Sequence, residues 1–381
     1  MGGFVSAQAA NPALQTKSEE ARHRRQPLSR ARSGRPVDNS AHGILRRFPA
    51  LAVGQNAAIC YSPSMVRFDK SIHDQARATR EPQPFPGWAR SRVALENPLE
   101  AAFAAGAALA SIHPIAMQDE GIGLLWRRRL ALRNAAEMVR MQGRKESEAD
   151  LRDAWVLRRP GDDPGPAGRV LEAWRRLATK ASLDGESWQA SVADSLAPGR
   201  GERLPDLLMS VTEVVGASQG PLAAAGQAAA RVMQAMPEAE ALAFWFADAA
   251  LAIRMKWPAP VPLLVPYVKR SELRCAAASP EDGGSWMRVC SLAYARAAAD
   301  AFDLHAEITR RADMLIAVAP KLRAKEASTL VAALLSEDAH AAGSATDRTT
   351  DRSGRRFFDR LQSLGAVREL TGRTTFRLYG L

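Results

Sequence analysis

Four arginines near the end of the chain, Arg352, Arg355, Arg356 and Arg373, are the residues whose type and spacing best support chemistry. They lie in "RSGRRFFDRLQSLGAVRELTGRTTFRLYGL", residues 352–381. On a helical wheel Phe357, Leu361 and Leu364 share one face, with Phe358 and Gly354 beside them. Arg352, Arg355 and Arg356 fall on the opposite face, and Gly365 supplies a helix stop. Beyond it, residues 366–370 and 374–379 alternate like two strands around "TGR", with Arg373 at the hairpin tip. A guanidinium offers a planar fork of donors that matches phosphate. A basic helix followed by a basic-tipped hairpin is how winged helices meet DNA, the helix in the major groove and the wing on the backbone. The expected chemistry is therefore contact with a polyanion.

Two other clusters invite a catalytic reading. Asp162 and Asp163 stand in "RRPGDDPGPAGR" (158–169) with Arg158, Arg159 and Arg169 close by. Paired carboxylates can bind a divalent ion or exchange protons, but adjacent residues rarely converge, and Asp-Asp before Pro-Gly-Pro suits a turn and a helix cap. "GASQG" (216–220) matches the G-x-S-x-G elbow, with "VTEVV" before it readable as a strand and Asp300 or Asp303 with His305 as partners. The parallel sheet and oxyanion loop that the elbow requires are missing, so Ser218 is read as a helix cap. The six histidines share no metal-ligand spacing, and no phosphate-binding glycine loop is present. No metal, cofactor or catalytic residue is assigned, and the chain leans away from being an enzyme.

Charge separates the chain into regions. The net charge is +11. Residues 1–92 carry fifteen Lys and Arg against six acids, residues 346–381 carry eight Arg against four, and the middle is left slightly acidic. Basic ends can meet nucleic acid or an acidic partner, although a basic tail is also soluble in its own right. Three cysteines, Cys60, Cys275 and Cys290, show no paired spacing, which suits a reducing cytoplasm. No apolar run reaches the roughly 18–20 residues of a membrane span, so no membrane association is expected.

The elements that must position the arginines are mostly helices. Residues 1–83 are polar, basic and rich in Ser and Pro, a disordered extension. Met65 within it reads as a start of translation, and the mass of the native N-terminus checks this: a peptide spanning residues 30–60 would disprove it. From "PFPGWARS" (84–91) onward helix follows helix. Asn97-Pro98 opens one over 97–113, and Leu125, Leu132, Ala136 and Val139 form the stripe of another, ending near Gly143. Ser147 with Asp150 forms a capping box, and a helix follows Asp163 or Pro164. Further helices begin near 186, 205, 221, 237, 285, 303 and 324, while the prolines of "WPAPVPLLVPYV" (257–268) impose an extended connector. The tryptophans fall at helical spacing and are expected in the core. The fold class is all-α: a multi-helix bundle over 84–320 and a winged-helix-like helix plus β-hairpin over 321–381. The short stretch "HAAGSATDRTT" (340–350), read as loop, leaves little room for the second helix of a complete winged helix.

"FPGWARSR", "AAFAAGAALA", "LRDAWVLRRPGDDPGPAGRVLEAWRRLA", "WPAPVPLL", "VAPKLRAK" and "FFDRLQSLGAVRELTGRTTFRLYGL" occur in this order. Over about residues 84–381 the chain resembles the bacterial domain-of-unknown-function 1403 family. The resemblance implies no reaction and no site residues. The expected function is DNA binding or regulation through the C-terminal segment. The alternative is a helical scaffold for a protein partner, with the hairpin sealing the core.

Overall fold

The computed structural model describes residues 84–90, 96–159, 161–179, 195–278, 283–322, 327–341 and 351–381. The N-terminal extension, Met65, Cys60 and the helix expected near 186 lie outside the described residues. Eleven α-helices run through the described part: α1 (Pro98–Ala116), α2 (Gly121–Met141), α3 (Glu148–Leu157), α4 (Gly165–Thr179), α5 (Leu204–Ala217), α6 (Pro221–Ala235), α7 (Glu240–Met255), α8 (Arg270–Ala278), α9 (Gly283–Val318), α10 (Ala327–Leu334) and α11 (Asp351–Ser363). Three short strands, β1 (His340–Ala341), β2 (Arg368–Glu369) and β3 (Leu378–Gly380), form an antiparallel sheet in the order β1-β3-β2. This is the all-α bundle with a C-terminal helix and hairpin that the sequence predicts.

The helix ends follow the sequence signals. Asn97 accepts a hydrogen bond from the Leu99 N–H, Ser147 and Asp150 form the capping box, and the Gly165 N–H bonds to Asp163. Gly143, at φ +81°, closes α2 with bonds from its own N–H to Arg140 O and from the Arg144 N–H to Val139 O. Three features depart from the sequence reading. The helices expected from 285 and 303 are one 36-residue helix, because nothing between them breaks the ladder. The nine-residue helix α8 is additional to the expected helices, and β1 falls where a loop is expected.

Packing explains the alanine-rich composition. Ala101, Ala104, Ala105 and Ala108 of α1 are fully or nearly fully buried, and α1 packs chiefly on α9, whose Ala293, Ala297, Ala298 and Ala301 are buried too. Small side chains let two helices approach toward the short end of the usual separation. α1 also meets the length and hydropathy of a membrane span, contrary to the sequence expectation, yet 44% of that window is buried in the bundle. α6 packs on α7, and α2 on α4. Trp126, Trp174 and Trp245 are buried as expected; Trp88 is 59% exposed.

The proline-rich connector is itself buried and needs partners for its backbone. Asp248 of α7, fully buried, accepts from the N–H groups of Leu263 (2.8 Å) and Leu264 (3.4 Å) and from the Tyr294 hydroxyl (3.2 Å). Asn134 of α2 donates to Pro262 O (3.1 Å) and accepts from the Val265 N–H (3.2 Å). The Trp257 indole donates to His113 Nδ1 (3.0 Å). Asp248 and Asn134 thus fasten the middle of the connector, residues 262–265, and His113 of α1 holds its start.

Burial shifts several side chains from their ordinary pKa values, Asp248 and His305 among them. Burial pushes the Asp248 carboxyl from 3.8 up to about 7. Burial beside Trp126 lowers His305 from 6.5 to about 4, with neither ring nitrogen hydrogen-bonded. Asp248 keeps its proton in the fold, so it favours folding below about pH 4 and that contribution is lost as the pH rises to about 7. His305 stays neutral, so it opposes folding increasingly as the pH drops from 6.5 to about 4. The two slopes oppose each other over the range they share. Relative to the parent, Asp248→Asn should gain stability with rising pH, and His305→Phe should gain it with falling pH, each by about 1.4 kcal/mol per pH unit. Chemical denaturation from pH 4 to 7 checks this; pH-independent differences would mean that neither group is perturbed.

Candidate nucleic-acid interface

The C-terminal helix separates its faces as the wheel predicts. Gly354, Phe357, Phe358 and Leu361 are buried, while Arg355, Arg356, Asp359 and Arg360 are exposed. The Phe358 ring stacks on Tyr379 of β3 (centroids 4.6 Å apart, 11° between planes) and meets Phe357 edge-on. Gly365 (φ +68°) ends α11 with a paired closure: its N–H bonds to Gln362 O and the Ala366 N–H to Leu361 O, both at 2.9 Å. A side chain at that φ would be strained, which is why glycine stands there.

The strands are shorter than the alternation suggests. Arg368 pairs with Gly380 and Glu369 with Tyr379, and the last ladder bond runs from the Leu370 N–H to Leu378 O. Residues 371–377 therefore form a broad loop. Glu369 organises its near side by accepting from the Thr371 and Gly372 N–H groups. Its far rim carries Thr374, Thr375, Phe376 and Arg377, all exposed. Phe376 is 73% exposed and sits at φ +54°, an uncommon backbone for a bulky residue.

The sequence-predicted arginines fare differently. Arg355 and Arg356 lie together on the exposed face of α11. Arg352 begins that helix, but its side chain lies outside the described residues. Arg373 is half exposed, yet it turns back to the helical body and pairs with buried Asp153 of α3 at 3.0 Å. Arg360 and Arg377 are further exposed cations in the segment. The i+4 spacing from Arg356 to Arg360 could have revealed the first; the second is placed by the loop's width.

Arginines also hold this segment in place. On α2, Arg128 donates to Ser336 O (2.7 Å) and pairs with Glu337; Arg129 donates to Asp338 O (3.1 Å) and Leu381 O (2.9 Å). On α4, Arg175 reaches Asp338 (2.6 Å) and Glu337 (2.8 Å). On α3, Arg152 donates to Leu370 O (3.1 Å). Burial lowers the pKa values of Arg128 and Arg129. Gly380 passes so close that an added Cβ would lie 2.6 Å from Asp338 O. Between these elements lies a cavity of about 460 Å³ lined by Arg128, Trp155, Arg175, Arg176, Glu172 and Glu337. The guanidiniums of Arg158 (4.7 Å) and Arg175 (4.9 Å) both lie over the Trp155 ring, which is half-buried and so outside the full burial expected of it. Each of the three arginines lining the cavity is already paired with a carboxylate.

The residues considered for catalysis serve the backbone. Asp162 accepts from the Arg159 N–H, and Asp163 caps α4 and pairs with Arg169. "VTEVV" is helix rather than strand, and Ser218 closes α5 by bonding back to Val214 O instead of opening α6. Asp303 binds Arg90, Asp300 accepts from Tyr267, and His305 packs on Trp126.

Residues 73–381 match the model of a protein family of unknown function, DUF1403. The chain belongs to that family. No curated protein and no solved structure matches it. The DUF1403 match spans the helical body and the C-terminal segment together, so the body's arginines and the residues they hold fall within one family unit.

The two sets of arginines should respond differently to mutation. Arg129→Met leaves two carbonyls without their donor and should cost about 3 kcal/mol. Amide exchange should speed up across β2 and β3. Arg356→Ala, on the exposed face, should change stability by no more than about 0.5 kcal/mol. Equal effects would contradict the division.

Proposed function

We propose that the chain binds duplex DNA through its C-terminal segment, read as a winged helix. The observation that carries this reading is the order of elements: helix α10, strand β1, helix α11, then β2 and β3, with β3 between the other two. In that arrangement α11 is the recognition helix and the 371–377 loop is the wing. Arg352, Arg355 and Arg356 belong to the helix and Arg373 to the wing, with Arg360 and Arg377 extending each. Phosphate contact by these guanidiniums supplies affinity and orientation. The rigid docking of the segment supports the reading, since a recognition helix must be held still to keep its register.

A second reading is favoured by one observation: Arg373, Arg152 and Arg129 tie the hairpin to the body. On that account the segment seals the core, and the helical surface serves a protein partner.

Fluorescence anisotropy with a random-sequence duplex, across a salt series, separates the two. On the DNA reading, replacing Arg352, Arg355, Arg356 and Arg373 with Ala weakens binding at least tenfold. The log–log salt slope also becomes shallower by about 3 to 4. Unchanged affinity, with the variant's fold verified by circular dichroism, would sink it and leave the sealing role.

A further inference from the structure

α1 buries one face against α9 and leaves the other uncovered among the described residues. The uncovered face carries Leu99 (79% exposed), Phe103 (69%), Gly106, Ala110 and Met117 (47%). The spacing steps by four, three and four from Leu99 to Ala110, and half-buried His113 takes the next seam position before Met117. Trp88 lies flat on Phe103, with centroids 5.1 Å apart. The turn that carries Trp88 is anchored: Ala89 is buried, and Phe85 packs edge-on against Phe302 at 5.4 Å. The aromatic pair is thus held outward by packed structure. A contiguous apolar face of this kind marks an interaction site.

We propose that this face pairs with a second copy of the chain, α1 against α1, antiparallel about a twofold axis near Ala108. Ala108 lies midway between Leu99 and Met117 and midway between Gly106 and Ala110. An antiparallel dyad therefore sets Leu99 against the partner's Met117 and Gly106 against the partner's Ala110. Phe103 falls opposite the partner's half-buried His113 in that register, and the apolar ends and small centre of the face meet their own counterparts. Its side-chain sizes fit a crossing as well. Helices that cross approach most closely at the centre, where Gly106 and Ala110 stand, and diverge toward the ends, where the bulky residues fill the widening gap. Antiparallel alignment also opposes the helix dipoles favourably.

The two Trp–Phe pairs contribute on the order of 500 Å². The rest of the stripe brings the total to about 1,000 Å², the lower bound of a specific interface. Exposed Glu96 and Glu120 meet at the rims, where solvent screens them. Raising salt therefore leaves association intact, unlike any contact with nucleic acid.

Sedimentation velocity of the full chain over a wide concentration range tests this. A monomer–dimer equilibrium is expected. Gly106→Leu is the decisive variant, because an added Cβ meets nothing within 4 Å in the monomer. It should fold at least as stably as the parent yet weaken association at least tenfold. Leu99→Cys mixed with Met117→Cys should yield an oxidised cross-linked pair that neither forms alone. A parent that stays monomeric throughout, a dimer indifferent to Gly106→Leu, or Leu99→Cys cross-linking to itself would each overturn the proposal. Monomers that float with neutral lipid vesicles without associating would overturn it as well.

Discussion

Largely buried guanidinium groups hold the C-terminal sheet and the turn before β1 to the helical body. Arg128 and Arg129 of α2, Arg152 of α3 and Arg175 of α4 converge on the carbonyls and acids of residues 336–338, 370 and 381. An arginine removed from water must satisfy its donors, since an unpaired buried charge costs several kcal/mol. The obligation works in both directions. The strands β1 and β3 cannot shift without stranding a cation, and the cations cannot be replaced singly without stranding a carbonyl. A three-stranded sheet with two- and three-residue strands would be marginal alone. Here it borrows its rigidity from three helices.

The same logic explains the connector between α7 and α8. Proline removes donors and forces extension, so a buried proline-rich segment cannot satisfy itself. Asp248 and Asn134 supply the missing partners from α7 and α2. Burial then leaves Asp248 with a carboxyl that holds its proton to about pH 7. Structural polarity in this protein is concentrated at such fastening points, while the helix contacts are mainly alanine and leucine. Asp162, Asp163 and Ser218, which look chemical in isolation, fasten backbone as well.

Arginine plays two parts, and exposure distinguishes them. Arg128, Arg129 and Arg175 are turned inward and reach acceptors through their terminal nitrogens; Arg355, Arg356 and Arg360 face outward along α11. Arg373 bridges the two classes, half exposed but paired to Asp153. The inward set fixes the chain on either side of the sheet, and α11 packs on that sheet through Phe358 and Tyr379. A polyanion-binding reading and a core-sealing reading thus share one foundation, and they differ only in what the outward face meets.

Local chemistry made much of this legible in the residues themselves. Caps at Asn97 and Ser147, stops at Gly143 and Gly365, the two faces of α11 and the extended connector all follow from interactions within a few residues. Such interactions are present in any conformation that forms the element, so the sequence alone determines them. Long-range pairing was decided only in the tertiary structure. That β1 exists, that Arg373 turns to Asp153 and that Arg129 reaches Leu381 depend on which surfaces meet. Neither a two-residue strand nor an arginine's choice of acceptor leaves a periodic signal. The energy of each comes from desolvation against a distant segment, and that segment's position is fixed only when the whole core has packed.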